Sequence, residues 1–305
     1  MNLFVAQHGY KRGEWSKSTL RETDHTTLAL PAIPKDFALP YANERSRDGV
    51  AAQSATLTEL DNQPATGPWS MTAPRKSAAF AIAIESDQLL GRFPFPETFL
   101  TPDEIVRAER LVHERARKDF LAAHLLARLC VSHCLGVPFG DVSIRQRCSR
   151  CGGSHGRPEV VGSSDTYVSW SHSFGYAAAV VSGRPCGVDI EFHGRKIGVA
   201  VQKVASTKSE FEFLRSHEDG DSLARHLWLR KEALVKAGLG SLPEVFRLDA
   251  MGEPIAFASR STEVLNVGGR SFNISERSVG GGDVCVAVEV PGPQIVWLGL
   301  PDLIE

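Results

Sequence analysis

The pattern of hydrophobic and polar residues divides the chain near residue 77. In residues 1–77 apolar side chains do not recur every 2 residues, as in a strand, or every 3.6 residues, as in a helix. This segment is rich in Pro, Ser, Thr, Asn and Gln. A segment of this composition buries too little apolar surface to offset the entropy lost when its chain is ordered. We therefore predict a disordered N-terminal extension over residues 1–77.

From residue 78 the pattern predicts both strands and helices. AAFAIAI (78–84) predicts a buried strand, and residues 101–136 predict helices that begin at Thr-Pro-Asp-Glu and end at Gly136. Further strands are predicted for YVSWSHSFGYAAAVVSG and PCGVDIEF, which a tight SGRP turn joins, and further helices for KSEFEFLRSH and SLARHLWLRKEALVKAG. EVFRLDA, SFNISER and DVCVAVEV predict a short antiparallel sheet. Because each half mixes helices and strands without βαβ alternation, the predicted fold class is α+β.

Composition and charge exclude several classes of protein. The chain has 305 residues and a formal net charge of -2, which argues against a general nucleic-acid binder. No apolar run approaches the roughly 20 residues that cross a bilayer, and the first residues lack the apolar core of a signal peptide. Six scattered cysteines do not resemble a secreted disulfide framework. We expect a cytoplasmic protein with neither a membrane nor a nucleic-acid partner.

Two carboxylates lie inside the apolar strand CGVDIEF. Residues i and i+2 of a strand face the same way, so Asp189 and Glu191 share one face while Val188, Ile190 and Phe192 share the other. Two carboxylates held about 4 Å apart repel by roughly 4 kcal/mol at an effective dielectric near 20, a cost that a shared cation removes. The pattern is therefore compatible with a metal site or with a solvated strand face.

A third carboxylate, Glu232, lies in the predicted helix WLRKEALVKAG between Lys231 and Lys236. Together with Asp189 and Glu191 it would complete an oxygen-rich site for a hard cation such as Mg²⁺, which commonly bridges carboxylates to a phosphorylated substrate. Taken alone, this segment also fits an ordinary exposed helix with an i,i+4 ion pair.

GVDIE and WLRKEALVKAGLG together resemble the paired signatures of the 4'-phosphopantetheinyl transferases, in the long single-chain type that primes polyketide and nonribosomal peptide synthases. HGRPEV (155–160) resembles that family's Gly-Lys-Pro element, with Arg157 in the basic place. VSWSHSFGYAAAV resembles its Ser-His-Ser strand, and the helical region after LTPDE resembles its basic N-terminal helix. The resemblance covers about residues 80 to 290.

The resemblance implies a fold and an activity. It implies two similar α+β lobes in a pseudo-twofold arrangement, over residues 78–185 and 186–305, with the active site in the cleft between them and the Mg²⁺ site on the second lobe. It implies a monomeric enzyme that moves the 4'-phosphopantetheine arm of coenzyme A to a serine of an apo acyl or peptidyl carrier protein. The other product is 3',5'-adenosine bisphosphate.

The resemblance also assigns roles to residues. Asp189, Glu191 and Glu232 would hold Mg²⁺, and Glu232 or a metal-bound water would accept the proton of the serine. Lys236 would stabilise the pyrophosphate or the leaving phosphate. The implied coenzyme A contacts are Arg107, Arg157, Ser171, His172, Lys231 and Lys236.

Some residues depart from the family pattern. His124 stands where family members often carry Arg, so we assign it no phosphate contact. The run VASTKSEFEF has Ala205 and Ser206 where aromatic residues commonly precede the family's Ser-x-x-Glu element, although Glu210 keeps its place. The resemblance therefore does not extend to the family's carrier-docking patch, and it implies no carrier preference for this chain.

CSRCGGSH suggests a different class of protein. Cys148 and Cys151 have the spacing of a zinc knuckle with His155 nearby, but no second cysteine pair at matching spacing follows. One alternative is therefore a zinc-knuckle interaction protein whose acidic strand and helix are only surface. Another keeps the Mg²⁺ site but hydrolyses coenzyme A as a phosphodiesterase.

Overall fold

A computed structural model of the chain describes residues 78–148, 151–154, 156–254, 257 and 262–304. The predicted disordered extension, residues 1–77, lies outside the described residues. The described residues all belong to one compact unit. Helices and strands are mixed along it, so the predicted α+β class is confirmed.

The first half of the described chain contains five strands and three α-helices. Its elements are β1 (Ala78–Glu85), α1 (Ser86–Leu90), a 3-10 turn (Pro96–Phe99), α2 (Pro102–Glu109), α3 (Glu114–Leu135), a 3-10 turn (Phe139–Asp141), β2 (Ile144–Gln146), β3 (Pro158–Val160), β4 (Tyr167–Ser173) and β5 (Tyr176–Ser182).

The second half begins with the strand that carries the two carboxylates. Its elements are β6 (Cys186–Phe192), α4 (Val199–Ala205), α5 (Lys208–Ser216), α6 (Gly220–Lys236), α7 (Leu242–Val245), β7 (Glu263–Val267), β8 (Arg270–Val279), β9 (Gly282–Glu289), β10 (Gln294–Trp297) and α8 (Pro301–Ile304).

Two four-stranded sheets organise these elements. The first has the order β10-β1-β5-β4 and the second has the order β6-β9-β8-β7, while β2 and β3 form a small separate pair. β1 pairs with β10 in parallel, and the other pairings of the two sheets are antiparallel. The SGRP link between β5 and β6 therefore joins strands of different sheets, and the hairpin of the first sheet turns instead at Phe174–Gly175.

The two sheets face each other, and each is covered on its outer face by one long helix. α3 buries Leu125 and Leu129 against the first sheet, and α6 buries Leu229 and Ala233 against the second. Small and β-branched side chains fill the space between the sheets: Ala79, Ala81, Ala178, Val180, Cys186, Val188, Ile190, Val284, Val286 and Val288. The carboxylates of β6 point away from this inter-sheet core, toward α6.

Local signals explain where the predicted elements begin and end. Thr101 forms a capping box with Glu104 at the start of α2, and Gly136 ends α3 in the left-handed region with φ 66°. One prediction is wrong: EVFRLDA is not a strand, because Ser241 forms a capping box with Glu244 and begins α7. The strand that pairs with β8 in its place is β7.

α6 lies unusually close to β6. A Cβ atom on Gly187 would lie 2.0 Å from the carbonyl oxygen of Ala233, so only glycine allows the helix to approach the strand this closely. This contact places the last turn of α6 directly over the carboxylates of β6. Within the described part of the chain, no helix combines the length and apolarity that a bilayer crossing requires.

Candidate active site

β6 carries Asp189 and Glu191 on the face that α6 covers. The two residues are 7% and 4% exposed, whereas Val188 and Ile190 face the inter-sheet core. The predicted alternation of this strand is therefore confirmed. The solvated strand face is excluded for these two carboxylates, because both are buried.

A stripe of serines on β4 lies beside β6. Ser171 Oγ donates to Asp189 Oδ1 at 2.7 Å, and Ser173 Oγ donates to Glu191 Oε2 at 2.9 Å. Ser169 Oγ accepts a hydrogen bond from the backbone N–H of Val188 at 3.2 Å. Residues i, i+2 and i+4 of one strand thus fix the position of β6 and the orientation of both carboxylates.

Two cations contact the same carboxylates. Lys236 Nζ donates to Asp189 Oδ1 at 2.7 Å and to the carbonyl oxygen of Val188 at 2.9 Å. Arg195, in the loop that follows β6, donates through Nη1 to Glu191 Oε1. Each carboxylate of β6 therefore has one hydroxyl donor and one cationic donor.

Glu232 projects from α6 toward this pair, and Asp189, Glu191 and Glu232 together are called here the acidic cluster. Glu232 is 2% exposed, and neither of its carboxylate oxygens has a hydrogen-bond partner. Burial and then the charge of Asp189 raise the pKa of Glu232 to about 8, and the charge of Lys236 only partly opposes this shift. A buried carboxylate without a donor is a costly arrangement, and such groups commonly serve a ligand or a proton transfer.

The acidic cluster has the donor chemistry of a Mg²⁺ site, and the unsatisfied oxygens of Glu232 fit a missing cation. As the side chains are placed, the cluster does not enclose an ion: within the described ranges no three His, Cys, Asp or Glu side chains are arranged to hold a metal. Lys236 and Arg195 each donate to one oxygen of these carboxylates, Asp189 Oδ1 and Glu191 Oε1.

Arg157 lies in the loop just before β3, and its side chain reaches the end of α6. It is exposed, and its Nη2 donates to the carbonyl oxygen of Lys236 at 3.1 Å. Its guanidinium also lies within about van der Waals distance of Gly238, where a Cβ atom would approach it to 2.8 Å. The structure therefore brings the predicted anion-binding Arg157 to the same helix end as Lys236.

His172 and Arg107 lie on the other side of β4. His172 projects from the face opposite Ser171, toward α3, and desolvation together with the charges of His124 and Lys236 lowers its pKa to about 3. It is therefore a neutral imidazole at neutral pH. Arg107 donates to the side chain of Gln146 and to the carbonyl oxygen of Ser154, both at 2.9 Å, and it lines a cavity of about 220 Å³.

Lys231 is not placed with these residues. Its ammonium is fully buried, and it donates to Glu210 Oε2 at 2.6 Å and to the carbonyl oxygen of Phe246 at 3.3 Å. Successive helix residues point about 100° apart, so Lys231 and Glu232 face different surroundings. The structure thus gives Lys231 a structural ion pair and no access to a bound ligand.

His124 also has a structural role. Its Nδ1 lies 2.7 Å from Glu104 Oε1, and Arg128 donates to Glu104 Oε2 at 2.6 Å. Burial lowers the pKa of His124, so the neutral ring donates its Nδ1 hydrogen to the Glu104 carboxylate. This buried group joins α2 to α3, in agreement with the decision to assign His124 no phosphate contact.

Two residues of the site were missed by the reasoning from sequence. Ser173 could have been found, because it lies two residues after Ser171 on the same strand face. Arg195 could not, because its approach to Glu191 depends on the path of the loop after β6, for which no local pattern exists.

Cys148 and Cys151 lie in the loop between β2 and β3. Cys148 is half-buried and Cys151 is exposed, and neither forms a disulfide. The backbone carbonyl of Cys148 accepts a hydrogen bond from Gly152, and its backbone N–H donates one to Gly153, both at 2.8 Å. His155, the third residue of the possible zinc site, lies outside the described residues.

A scan against protein-family models finds none that matches the chain, and a comparison with curated proteins also finds no match.

Proposed function

We propose that this protein is a 4'-phosphopantetheinyl transferase of the long single-chain type. It transfers the phosphopantetheine arm of coenzyme A to a serine of an apo acyl or peptidyl carrier protein and releases 3',5'-adenosine bisphosphate. The observation that carries the proposal is the buried acidic cluster, with Lys236 bonded to Asp189 and Arg157 bonded to the same helix end. Carboxylates for a hard cation and basic groups for phosphates lie side by side.

In the proposed reaction the serine oxygen forms a bond to the phosphorus that bears the pantetheine arm. The bond from this phosphorus to the bridging oxygen breaks, and the bisphosphate leaves with the electron pair. Mg²⁺, held by Asp189, Glu191 and Glu232, would supply charge neutralisation on the pyrophosphate. The ammonium of Lys236 has a third N–H besides those donated to Asp189 and Val188, and it would donate this one to a phosphate oxygen. Arg157 would bind the 3'-phosphate as an exposed guanidinium.

The serine proton needs an acceptor near the acidic cluster. Glu232 suits this role because its oxygens have no hydrogen-bond donor and its pKa of about 8 lies close to neutral pH. A water at the cluster is the other acceptor that this chemistry permits. Ser171 and Ser173 would keep Asp189 and Glu191 oriented during the transfer.

The two-lobe arrangement belongs to the same proposal. In both sheets the first strand of the lobe pairs antiparallel with the second strand of a hairpin. β1 pairs with β5 of the β4–β5 hairpin, and β6 pairs with β9 of the β8–β9 hairpin. One long helix, α3 or α6, then covers each sheet. This shared order supports two lobes related by a pseudo-twofold axis, with the acidic cluster beside the strands β4 and β6 where they meet. All residues of the proposed site come from one chain, which fits a monomer. The proposal places this monomer in the cytoplasm.

The test is the mass of an apo carrier protein after incubation with this protein, coenzyme A and Mg²⁺. We expect a gain of one phosphopantetheine arm, lost with EDTA and lost in Asp189→Asn. Glu97→Ala is the matched control, because Glu97 is an exposed acid whose partner is Arg117. Thermal unfolding of each variant confirms that it is folded.

Other outcomes would favour the alternatives. Breakdown of coenzyme A without modification of any carrier would indicate a phosphodiesterase. Stoichiometric zinc, with intact coenzyme A and no modified carrier, would indicate a zinc-knuckle protein.

A further inference from the structure

Arg195 contacts the acidic cluster from outside the two elements that build it. It lies in the loop between β6 and α4, where its backbone N–H donates to the carbonyl oxygen of Phe192 at 3.0 Å. Its guanidinium is bonded to Glu191 Oε1, and its side chain remains 31% exposed. The turn of the backbone is therefore fixed, while the long side chain reaches from solvent into the site.

A divalent cation and this guanidinium compete for the same carboxylate. Glu191 already accepts a hydrogen bond from Ser173 on Oε2 and one from Arg195 on Oε1. An ion on Glu191 would lie within a few ångströms of the Arg195 charge, and at that distance like charges repel strongly even at a protein-like dielectric. Entry of the ion therefore requires Arg195 to move away from Oε1.

Lys236 is much less able to move than Arg195. It has two acceptors, Asp189 Oδ1 and the carbonyl oxygen of Val188, and its side chain is 20% exposed on the rigid helix α6. Arg195 is held by its carboxylate at the solvent edge, and an arginine side chain has several rotatable bonds. Solvent next to Arg195 gives its guanidinium room to turn outward.

We propose that Arg195 is a displaceable internal cation, which holds Glu191 in place until a divalent ion takes over this role and which sets the affinity of the site for that ion. The inference rests on the metal site of the proposed function. It predicts that the affinity of this site is lower than its three carboxylates alone would give. Arg195 is thus a positioning residue, whose removal strengthens metal binding.

The experiment measures Mn²⁺ binding to the full chain by the electron paramagnetic resonance signal of free Mn²⁺, without coenzyme A. Wild type and all variants are measured at the same fixed pH. The variants are Arg195→Gln, which removes the charge, and Arg195→Lys, which keeps it. Arg117→Gln is the matched control, since Arg117 pairs with exposed Glu97 at 2.9 Å.

We expect Arg195→Gln to bind Mn²⁺ about tenfold more tightly than wild type, as loss of one nearby positive charge at this range implies. Arg195→Lys keeps the positive charge, and Arg117→Gln removes an exposed charge outside the acidic cluster, so both should stay within about twofold of wild type. Equal or weaker binding by Arg195→Gln, in a variant whose thermal unfolding matches wild type, overturns the inference.

The outcomes separate this inference from the proposed function. If wild type modifies the carrier but Arg195→Gln gains no Mn²⁺ affinity, only the role of Arg195 is rejected. If wild type neither binds Mn²⁺ nor modifies a carrier, both the metal site and the role of Arg195 are rejected.

Discussion

The buried ion pair between Glu210 and Lys231 provides a test of the fold that is independent of any ligand. Both side chains are fully buried, and Glu210 also accepts the backbone N–H groups of Thr207 at 2.6 Å and Ala250 at 2.8 Å. Burial lowers the pKa of Lys231, and the charge of Glu210 opposes this shift. Replacing Glu210 by Gln therefore leaves an ammonium group in the interior without its counter-charge.

The expected loss follows from the cost of an uncompensated buried charge. Breaking a buried pair by removing one partner costs about 3–5 kcal/mol. For a domain of this size each kcal/mol lowers Tm by about 2–4 °C, so Glu210→Gln should lower Tm by roughly 6–20 °C. Glu244→Gln is the matched control, because Glu244 closes a capping box like that of Glu210 but at an exposed site. Its Tm should stay near wild type.

The double variant Glu210→Met with Lys231→Met completes the cycle. Apolar side chains of similar volume often replace a buried pair without loss of stability, but Met at 210 leaves the backbone N–H groups of Thr207 and Ala250 without their acceptor, so Tm should recover only part of the loss. The assay is thermal unfolding followed by circular dichroism. The reasoning is refuted if Glu210→Gln unfolds no earlier than Glu244→Gln. It is also refuted if Lys231→Met keeps its stability but weakens coenzyme A binding, since Lys231 would then be a ligand.

Three further predictions concern other parts of the molecule. Gly187→Ala should destabilise the protein by at least about 1–3 kcal/mol in chemical denaturation and abolish carrier modification, because its Cβ would collide with the Ala233 carbonyl and push α6 off β6; unchanged stability would contradict the packing. Burial opposes ionisation of Glu104, but the hydrogen bond from His124 and then the charge of Arg128 lower its pKa to about 2 from 4.5. The resulting stabilisation, about 3 kcal/mol, is complete above pH 4.5 and lost as the pH falls toward 2. Glu104→Gln should therefore flatten the acid limb of stability against pH, and an unchanged limb would reject the ion pair. Arg157→Gln should raise KM for coenzyme A about tenfold at unchanged Tm, as an exposed phosphate contact would, whereas an unchanged KM would remove Arg157 from the binding site.

The sequence predicted those features that depend on neighbours along the chain. Strand alternation placed Asp189 and Glu191 on one face, and the Thr101 and Gly136 signals marked the ends of the helical region correctly. The resemblance implied a coenzyme A contact for Lys231, whereas in the structure its ammonium is bonded to the buried carboxylate of Glu210. EVFRLDA predicts a strand, but the capping box of Ser241 and Glu244 begins a helix at this segment.

Features that depend on distant segments could not be predicted in this way. The burial of the acidic cluster depends on the approach of α6 to Gly187, which brings residues 187 and 233 together. The contact between Arg195 and Glu191 depends on a loop path. The hydroxyl contacts of the serines depend on the packing of β4, an edge strand of the first sheet, beside β6, an edge strand of the second.

The pairing of β10 with β1 has a consequence for how the protein forms during synthesis. Ala78 is hydrogen-bonded in register with Gln294, so an outer strand of the first sheet comes from the end of the described chain. That sheet stays incomplete on the ribosome until residues 294–297 have emerged, and contacts between such distant segments slow folding. A nascent chain halted before residue 294 exposes the edge of β1 to other unpaired strands, which makes truncated products prone to aggregate.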